Sequence, residues 1–600
     1  MSNITYELSP SDPAAHLFRV RCRIPEPAAE GQRVSMPAWI PGSYLIRDFA
    51  KNIVGIRAGS DGRPVSMQPL DKDSWQCAPC ENELLIEYEV YAGDPSVRGA
   101  KLDTTKGFFN GTSVFLRVHG REHDECVLSL RPPDTEAAAK WKVATAMTAS
   151  SVDAQGFGEY RANGYDELVD HPVAMGRFTL GRFTADGVEH EIALFGRHYG
   201  DLKRLCSDLK HICEHHIRFF RDKAPFPHYL FIVMVVGEGY GGLEHRASST
   251  LICSRDHLPH SSKPGMNDAY REFLGLCSHE YFHSWNVKRI RPAAFIPFDY
   301  QKENYTGLLW VFEGITSYYD DLALLRSGRI DAQSYLELLG QMITRVLRNR
   351  GRLRQTVAES SYYAWTKFYK PDENTANAVV SYYSKGALIA LGLDLLIRQN
   401  TQNTKSLDDV MVELWTRYGR PEVGVEEYGF EELACKTGGE SLRGFFDRTV
   451  RSTEDLPLDE WLAVCGIKVN LRASESSADK GGKPLAKIPS AEMGITLKEE
   501  AGLVRVVHVG EGTAAQKAGV WAGDLIMACN GLKAGLKRIA FELSHAEPGD
   551  QFVLHVFRGD ELLVFHPVLQ APEITTCYLE VDKDSTPQQN AARAAWLWTG

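Results

Sequence analysis

Phe18, Val20, Cys22 and Ile24 alternate with Arg19, Arg21 and Arg23, the period of two expected of a strand with one face in a core and one in water. Ile86, Tyr88 and Val90 repeat the alternation against Glu87 and Glu89, and turn residues interrupt the chain up to about Gly176. Residues 1–175 are therefore expected to form an N-terminal β-sandwich domain. The period then changes. Between Arg197 and Asp222, Leu202, Leu205, Leu209, Ile212, His216 and Phe220 recur every three or four positions, which predicts an amphipathic helix. "YLFIVMVV" (Tyr229–Val236) is apolar without alternation, as in a strand covered on both faces. "GEGYGGLEHRASSTLIC" reads as a turn into an edge strand. Arg271–Lys288 and Gly307–Leu325 are predicted helices, and further helical segments, among them "SKGALIALGLDLLIRQ", fill about 330–465.

Ser474–Ser490, "SESSADKGGKPLAKIPS", is polar and lacks an apolar period, so it is expected to be a linker to a small C-terminal domain. The expected division is 1–175, 176–328 for an α+β domain, 329–473 for a helical domain, 488–571 for the small domain, and a tail at 572–600. In that tail Trp596, Leu597 and Trp598 are too apolar to leave in water and are expected to pack back on the body.

A length of 600 residues exceeds what one core supports and requires several domains. The formal net charge of −11, with no long basic block, argues against nucleic acid or an anionic membrane as main partner. No apolar run reaches the ~18 residues that a membrane span needs, and the N-terminus lacks a secretory pattern. A cytoplasmic location is the default expectation. The 12 cysteines do not form a disulfide framework. Cys77 and Cys80, a lone CxxC, are expected in a turn between strands.

Candidate chemistry enters with "SHEYFHSWNVKRIRP". On a predicted helix His279 and His283 project from one face a turn apart, close enough to share a cation. Neutral imidazoles suit zinc, and the adjacent Glu280 can take a proton from water whose pKa the metal lowers to about 7. "HICEH" offers a rival in His211, Glu214 and His215, the inverted arrangement. These residues share a helix face with Arg204 and Arg218, however, and read as a solvated surface. A third ligand should come from elsewhere. Glu313 lies among Trp310, Val311, Phe312 and Ile315, where a carboxylate needs a partner. Asp320 follows seven residues later and could orient a ligand histidine. Glu303 is the alternative third ligand.

These residues carry a resemblance. "PAWIPGSYLIRDF", "FFNGTSVFLRV", "GYGGLEH", "HEYFHSWNVKRIRP", "ENYTGLLWVFEGITSYY" and "SYYSKGA" occur in that order, and the chain resembles the glycyl aminopeptidase family of gluzincin zinc metallopeptidases with a C-terminal PDZ domain. The resemblance implies a multidomain α+β fold: β-sandwich, thermolysin-like catalytic domain, helical domain completing the active-site cleft, and PDZ domain. It implies that His279, His283 and Glu313 bind one zinc ion per chain, that Glu280 is general base and acid, and that Asp320 supports a ligand. It places Gly241, Gly242 and Glu244 of "GGLEH" on the exopeptidase strand, with Glu244 on the substrate's free amino group. Tyr383 corresponds to the tyrosine that donates to the tetrahedral oxyanion, with Tyr382 its neighbour. The family also implies small N-terminal residues, Gly or Ala, in the substrate.

"MGITL" from Met493 and "AQKAGVWAGDLIMACNG" from Ala515 carry the PDZ likeness, with Gly494 in the carboxylate-loop position and a strand edge open to a peptide or protein C-terminus. Between His283 and Glu313 lies "NVKRIRPAAFIPFDYQKENY", a connection that could shape the substrate cleft with Lys288 or Arg289 meeting a peptide carboxylate, although both are read first as ordinary surface cations. The expected activity is a zinc aminopeptidase acting on peptides with a free N-terminus. The alternatives are a zinc endopeptidase, in which Glu244 is structural, and an inert zinc fold serving as scaffold for a peptide-binding PDZ domain.

Overall fold

The computed structural model describes residues 3–134, 138–476, 478–485, 490–500 and 502–597. The chain forms two compact units, Met1–Asn304 with Ser327–Arg329 and Leu414–Val425, and Tyr305–Arg326 with Ile330–Glu413 and Glu426–Gly600.

In the first unit the alternation around Phe18 becomes the strand Leu17–Ile24, paired antiparallel with Ile4–Asp12 and Leu84–Tyr91 in an eight-stranded sheet. Its apolar positions are buried, and its arginines form cross-strand pairs: Arg19 with Glu89 at 3.0 Å, and Arg21 with Glu7 and Glu87 at 3.2 Å. Exposed pairs of this kind contribute about 0.2–1 kcal/mol each, so burial of the opposite face sets the register. Three buried tyrosines then fix the "FFNGTSVFLRV" segment. Tyr88, Phe115 and Leu116 illustrate how: Tyr88 donates to the Val114 carbonyl at 2.7 Å, Tyr165 to Phe115 at 2.8 Å and Tyr6 to Leu116 at 2.7 Å. Burial without a phenolic partner would be costly.

A second, five-stranded sheet of this unit runs Phe178–Ala185, Val188–Phe195, His228–Val236, Ser248–Ser254, Tyr240–Glu244 in spatial order. His228–Val236 is parallel to both neighbours and almost wholly buried, which is why its sequence shows no alternation. Tyr240–Glu244 is the antiparallel edge strand that the sequence predicts. The helix Leu202–Phe219 packs on the Phe178–Ala185 strand, and Asp268–Phe282 packs on the Tyr240–Glu244 and Ser248–Ser254 strands and on the first helix. The segment after the histidines forms an aromatic pad for "PAWIPGSYLIRDF". Trp39 donates from Nε1 to the Asp299 carbonyl at 2.7 Å, and its ring lies 5.8 Å from Phe298.

The second unit is helical and ends in the small β domain. Trp310–Gly314 winds as a π-helical turn into the helix Ile315–Arg326, and Ser384–Asn400 is an almost fully buried helix. The six-stranded C-terminal sheet begins with Ile495–Glu500 at its edge. The tail packs back: Ile574–Val581 pairs with Ile467–Ala473, and Trp596 is fully buried, donating from Nε1 to the Tyr318 hydroxyl at 2.9 Å. Trp598 lies outside the described residues. The expected linker is not free over its described part. Asp479 pairs with Arg472 at 2.6 Å, and its carbonyl accepts from Arg348 at 2.6 Å, so one carboxylate orders a polar stretch. Residues 477 and 486–489 of it lie outside the described residues.

All 12 cysteines are free thiols, and 11 are buried. Burial raises the Cys77 thiol to about 11. No described helix is long and apolar enough to cross a membrane.

Candidate active site

Asn267 caps the helix Asp268–Phe282 by accepting from the Tyr270 N–H at 2.8 Å, the usual remedy for an unsatisfied N-terminal donor. The helix stops at Phe282, six residues short of the Lys288 that periodicity predicts. Its end is built by a histidine: the Asn286 carbonyl turns back to 2.6 Å from Nδ1 of His283. That contact places the imidazole proton on Nδ1 and leaves the Nε2 lone pair pointing outward. The His279 Nε2 lies 3.0 Å from the His283 Nε2. Two imidazole nitrogens one helical turn apart thus face each other, an arrangement that suits a borderline-soft cation such as zinc.

Two carboxylates share this place. Glu244, Glu280 and His283 each offer a ligand atom within 4.8 Å of the others, and all three are buried. The edge strand makes room for them with glycine. A Cβ on Gly242 would lie 2.2 Å from Oε1 of Glu280, so the general-base candidate rests directly against strand backbone. Gly241 is open to space at a φ of +143°, and the Gly242 carbonyl accepts from Arg98 at 3.1 Å. At the end of the strand, Gly42 of "PAWIPGSYLIRDF" stands over Glu244. Its φ is +90°, and a Cβ there would lie 2.4 Å from the Glu244 carboxylate. No side chain fits between them.

Behind the histidine helix the support is polar but dry. His190 Nδ1 lies 2.9 Å from the Val188 carbonyl and its Nε2 2.9 Å from the Tyr281 hydroxyl, while His216 Nε2 lies 2.8 Å from Ser278 Oγ. Burial pushes His190 down to about 4 and His216 well below the ordinary histidine value. The rival "HICEH" is solvated in part, since His211 is exposed while Glu214 and His215 are half-buried and Asp208 on the same face is buried. His211 is exposed and bonded to the Ser207 carbonyl at 2.7 Å, and Glu214 sits 3.9 Å from Lys210 and 3.7 Å from Arg218.

In the second unit, Glu313 is 2% exposed inside the π-helical turn, surrounded in sequence by Trp310, Val311 and Phe312, all buried. An inserted π turn re-aims one side chain without ending the helix and recurs at functional sites. Gly314 and Gly386 bring this turn against the Tyr383 helix: a Cβ on Gly314 would lie 2.7 Å from the Gly386 Cα. Tyr383 is half-buried, whereas Tyr382 is in the core, which separates the two tyrosines that sequence left adjacent. Burial, then the Glu313 charge and Tyr369, whose hydroxyl is 3.3 Å away, hold the Tyr383 phenol well above its usual range. It stays protonated and able to donate. Asp320 is half-buried on the helix Ile315–Arg326.

One expectation is corrected. Lys288 and Arg289 are not surface cations. Lys288 pairs with half-buried Asp170 at 2.5 Å, and Arg289 donates to the carbonyls of Arg246, Ser284 and Pro225 at 2.7–2.9 Å. Both charges are consumed inside the fold, since burying them without partners is prohibitive. Glu303 sits near Lys72, whose pKa it helps to raise, and is half-buried. Gly42, His190, His216, Ser278 and Asn286 went unassigned in the sequence. Only Gly42 carried a signal, the Pro-Gly turn within a marker motif.

Comparison with known proteins gives these residues a setting. Residues 5–177 match the Peptidase M61 N-terminal domain, 272–389 the M61 glycyl aminopeptidase domain, and 491–566 a PDZ domain. The chain is similar to the crystal structure of an aminopeptidase N family protein from Idiomarina loihiensis, with 41% identity over 99% of this chain and 100% of that one, at a TM-score of 0.95. An M1 zinc metallopeptidase mutant from Deinococcus radiodurans bound to a Tyr-Ser-Ala substrate shares 13% identity, covering 76% of this chain and 94% of that one, at a TM-score of 0.48. The comparison with curated proteins returns no match. With its N-terminal, catalytic and PDZ segments all matched and a relative of 41% identity along its length, the chain belongs to the M61 glycyl aminopeptidase family of metallopeptidases.

Proposed function

We propose that the protein removes N-terminal residues, small ones such as Gly or Ala, from peptides, with one zinc ion per chain held by His279, His283 and Glu313. The observation that carries the exopeptidase reading is Glu244. It is a buried carboxylate gathered with Glu280 and His283 and roofed by the Gly42 backbone, where it can accept from a substrate ammonium. Gly241 and Gly242 leave the edge strand bare for the substrate backbone. Zinc, when bound, supplies Lewis acidity that polarises the scissile carbonyl and acidifies water. Glu280 takes the proton of the attacking water and returns it to the leaving amine. Tyr383, held protonated, donates to the oxyanion of the substrate carbonyl. Nδ1 of His283 is engaged by the Asn286 carbonyl, and Asp320 is proposed to support a ligand histidine. The support for Glu313 as third ligand is its burial in a π-helical turn of otherwise apolar residues. The PDZ domain takes peptide or protein C-termini.

The test combines metal analysis with hydrolysis of Gly- and Ala-amides and of matched N-acetylated peptides. Glu280→Gln should retain zinc and lose hydrolysis, and N-acetylation should abolish turnover. Cleavage of the blocked peptides at internal bonds would replace this reading with an endopeptidase, and full activity in Glu280→Gln would leave only a scaffold.

A further inference from the structure

The C-terminal domain grips the segment that leads into Tyr383. Asn377 is bound at both ends of its amide: Nδ2 donates to the Val509 carbonyl at 3.0 Å, and Oδ1 accepts from the Glu511 N–H at 3.0 Å. His508 Nδ1 lies 3.0 Å from the Glu373 carbonyl. Arg354 pairs with Glu511, and Arg350 with Glu573 just beyond the PDZ segment. Both arginines flank the turn that holds the approach to Tyr383. A Cβ on Gly351 would lie 2.4 Å from the Val379 backbone, and Gln355 Oε1 accepts from the Val380 N–H at 3.1 Å. Val380 is three residues before Tyr383, so both contacts made by the PDZ domain converge on the base of the tyrosine.

On the PDZ side, the gripping residues are bonded to the strand a peptide would join. Ile495 pairs with Val509 and Thr496 with His508, and the Gly494 carbonyl accepts from the Gly510 N–H at 2.9 Å. Ile495–Glu500 is the sheet edge. Ile495, Leu497, Leu536 and Leu543 are half-buried apolar residues at the margin of this domain's core. An adjacent cavity of about 790 Å³ is lined by Lys533, Lys537, Arg538 and Phe541, with Glu499 the sole acid. Arg538 pairs with Glu542 at 3.7 Å and Glu499 lines the same cavity, so three cations meet two acids along this margin, a small positive excess that a peptide with acidic residues complements.

We infer that the PDZ groove is an effector site for catalysis. Its occupant is a peptide C-terminus with an apolar last residue and acidic residues upstream, added to the Ile495–Glu500 edge. Occupancy is felt at Tyr383 through residues 508–511 and Asn377. The inference rests on the oxyanion role proposed for Tyr383. Linkage makes such coupling reciprocal for binding affinities, whereas an effect on kcat need not be symmetric.

The full-length protein is titrated with an N-acetylated peptide ending Glu-Asp-Leu-Val as free acid, with its C-terminal amide, and with a version carrying Lys-Lys in place of Glu-Asp. Binding is read by fluorescence anisotropy, kcat on an Ala-amide, and backbone hydrogen exchange over residues 373–383. The acidic free acid should bind at least tenfold more tightly than the other two, and should weaken by a similar factor in the Lys537→Glu/Arg538→Glu variant. At saturation it should shift kcat by about fivefold and alter exchange over 373–383. Asn377→Ala should keep peptide affinity within threefold and lose the kcat response. Equal binding of acid and amide, or binding with unchanged kcat and unchanged exchange, overturns the inference. The exchange response needs no turnover. A protein that responds in exchange but hydrolyses nothing would therefore overturn the peptidase reading and leave the coupling standing.

Discussion

The Tyr281 hydroxyl donates to Nε2 of His190 at 2.9 Å, and the other nitrogen of that imidazole is fixed on the Val188 carbonyl. Tyr281 directly follows Glu280, and Ser278, held by His216 at 2.8 Å, directly precedes His279. Two neutral imidazoles thus pin the rear of the helix turn whose front presents the metal and general-base candidates. Such outer contacts orient ligands and tune affinity. His190→Leu should weaken zinc retention by about tenfold while His190→Gln, which keeps an acceptor, should restore most of it. Competition with a zinc-selective dye measures both, without recourse to activity.

The same imidazoles make the fold sensitive to acid. His190 has a pKa of about 4 in the folded chain against about 6.5 in an unfolded one. Above pH 6.5 both forms are neutral, and it contributes no pH dependence. As pH falls from 6.5 to 4 the unfolded chain binds a proton that the folded chain refuses, so stability falls by about 1.4 kcal/mol per pH unit for each such imidazole. His216 is shifted the same way and adds to the slope. Urea unfolding of chelator-treated protein between pH 7 and 4.5 should show this decline, and His190→Gln should remove about half of it.

Periodicity made the first unit legible because its strands each bury one face, as the Phe18 to Ile24 alternation does. The same reasoning overran at Lys288. The helix gives way to a loop in which the Asn286 carbonyl meets His283, and a loop contact of that kind has no period. His279, Glu280 and His283 stand out as candidates through a spacing that chemistry imposes. Glu313 stands out through the cost of a carboxylate among apolar residues, although its π turn does not, since one inserted residue leaves composition unchanged. Lys288 and Arg289 misled because a basic run looks the same in solvent as when each charge meets a buried partner. Gly42 and Glu244 are some 200 positions apart, and their contact is a property of the fold alone.

Glu244 should govern recognition of the amino terminus. A charge-assisted hydrogen bond contributes about 1.5–3 kcal/mol, so Glu244→Gln should lower kcat/KM on Gly- and Ala-amides by about 10- to 150-fold. Bound zinc should be unchanged. An equal loss on substrates with and without a free amine would assign Glu244 a structural role.

Gly242 offers a purely steric handle on Glu280, the proposed general base. Its missing side chain is the space that Oε1 of Glu280 occupies, 2.2 Å from an ideal Cβ. Gly242→Ala must displace that carboxylate, and a displacement near 1 Å costs about 100-fold in rate. We expect kcat to fall by that order with zinc content retained, whereas alanine at Gly241, which faces open space but has a φ of +143°, should act through backbone strain and lower thermal stability instead. Comparing kcat and melting temperature for the pair distinguishes the two effects.

Lys288 and Asp170 form an ion pair at 2.5 Å with both side chains largely out of water. Burial raises the Asp170 pKa, but the Lys288 ammonium and His245 outweigh it and hold the carboxyl well below its usual range. Stability from this carboxylate is therefore complete above pH ~4 and is lost only as pH falls through the depressed value. Removing one partner leaves a charge in the interior. Lys288→Met should destabilise the protein by about 3–5 kcal/mol, and pairing it with Asp170→Asn should recover most of that loss because the orphaned carboxylate is gone. Urea unfolding at pH 7 of the two single variants and the double variant measures the coupling. A double variant no more stable than Lys288→Met would mean that packing of the lysine stem, not its charge, holds this region together.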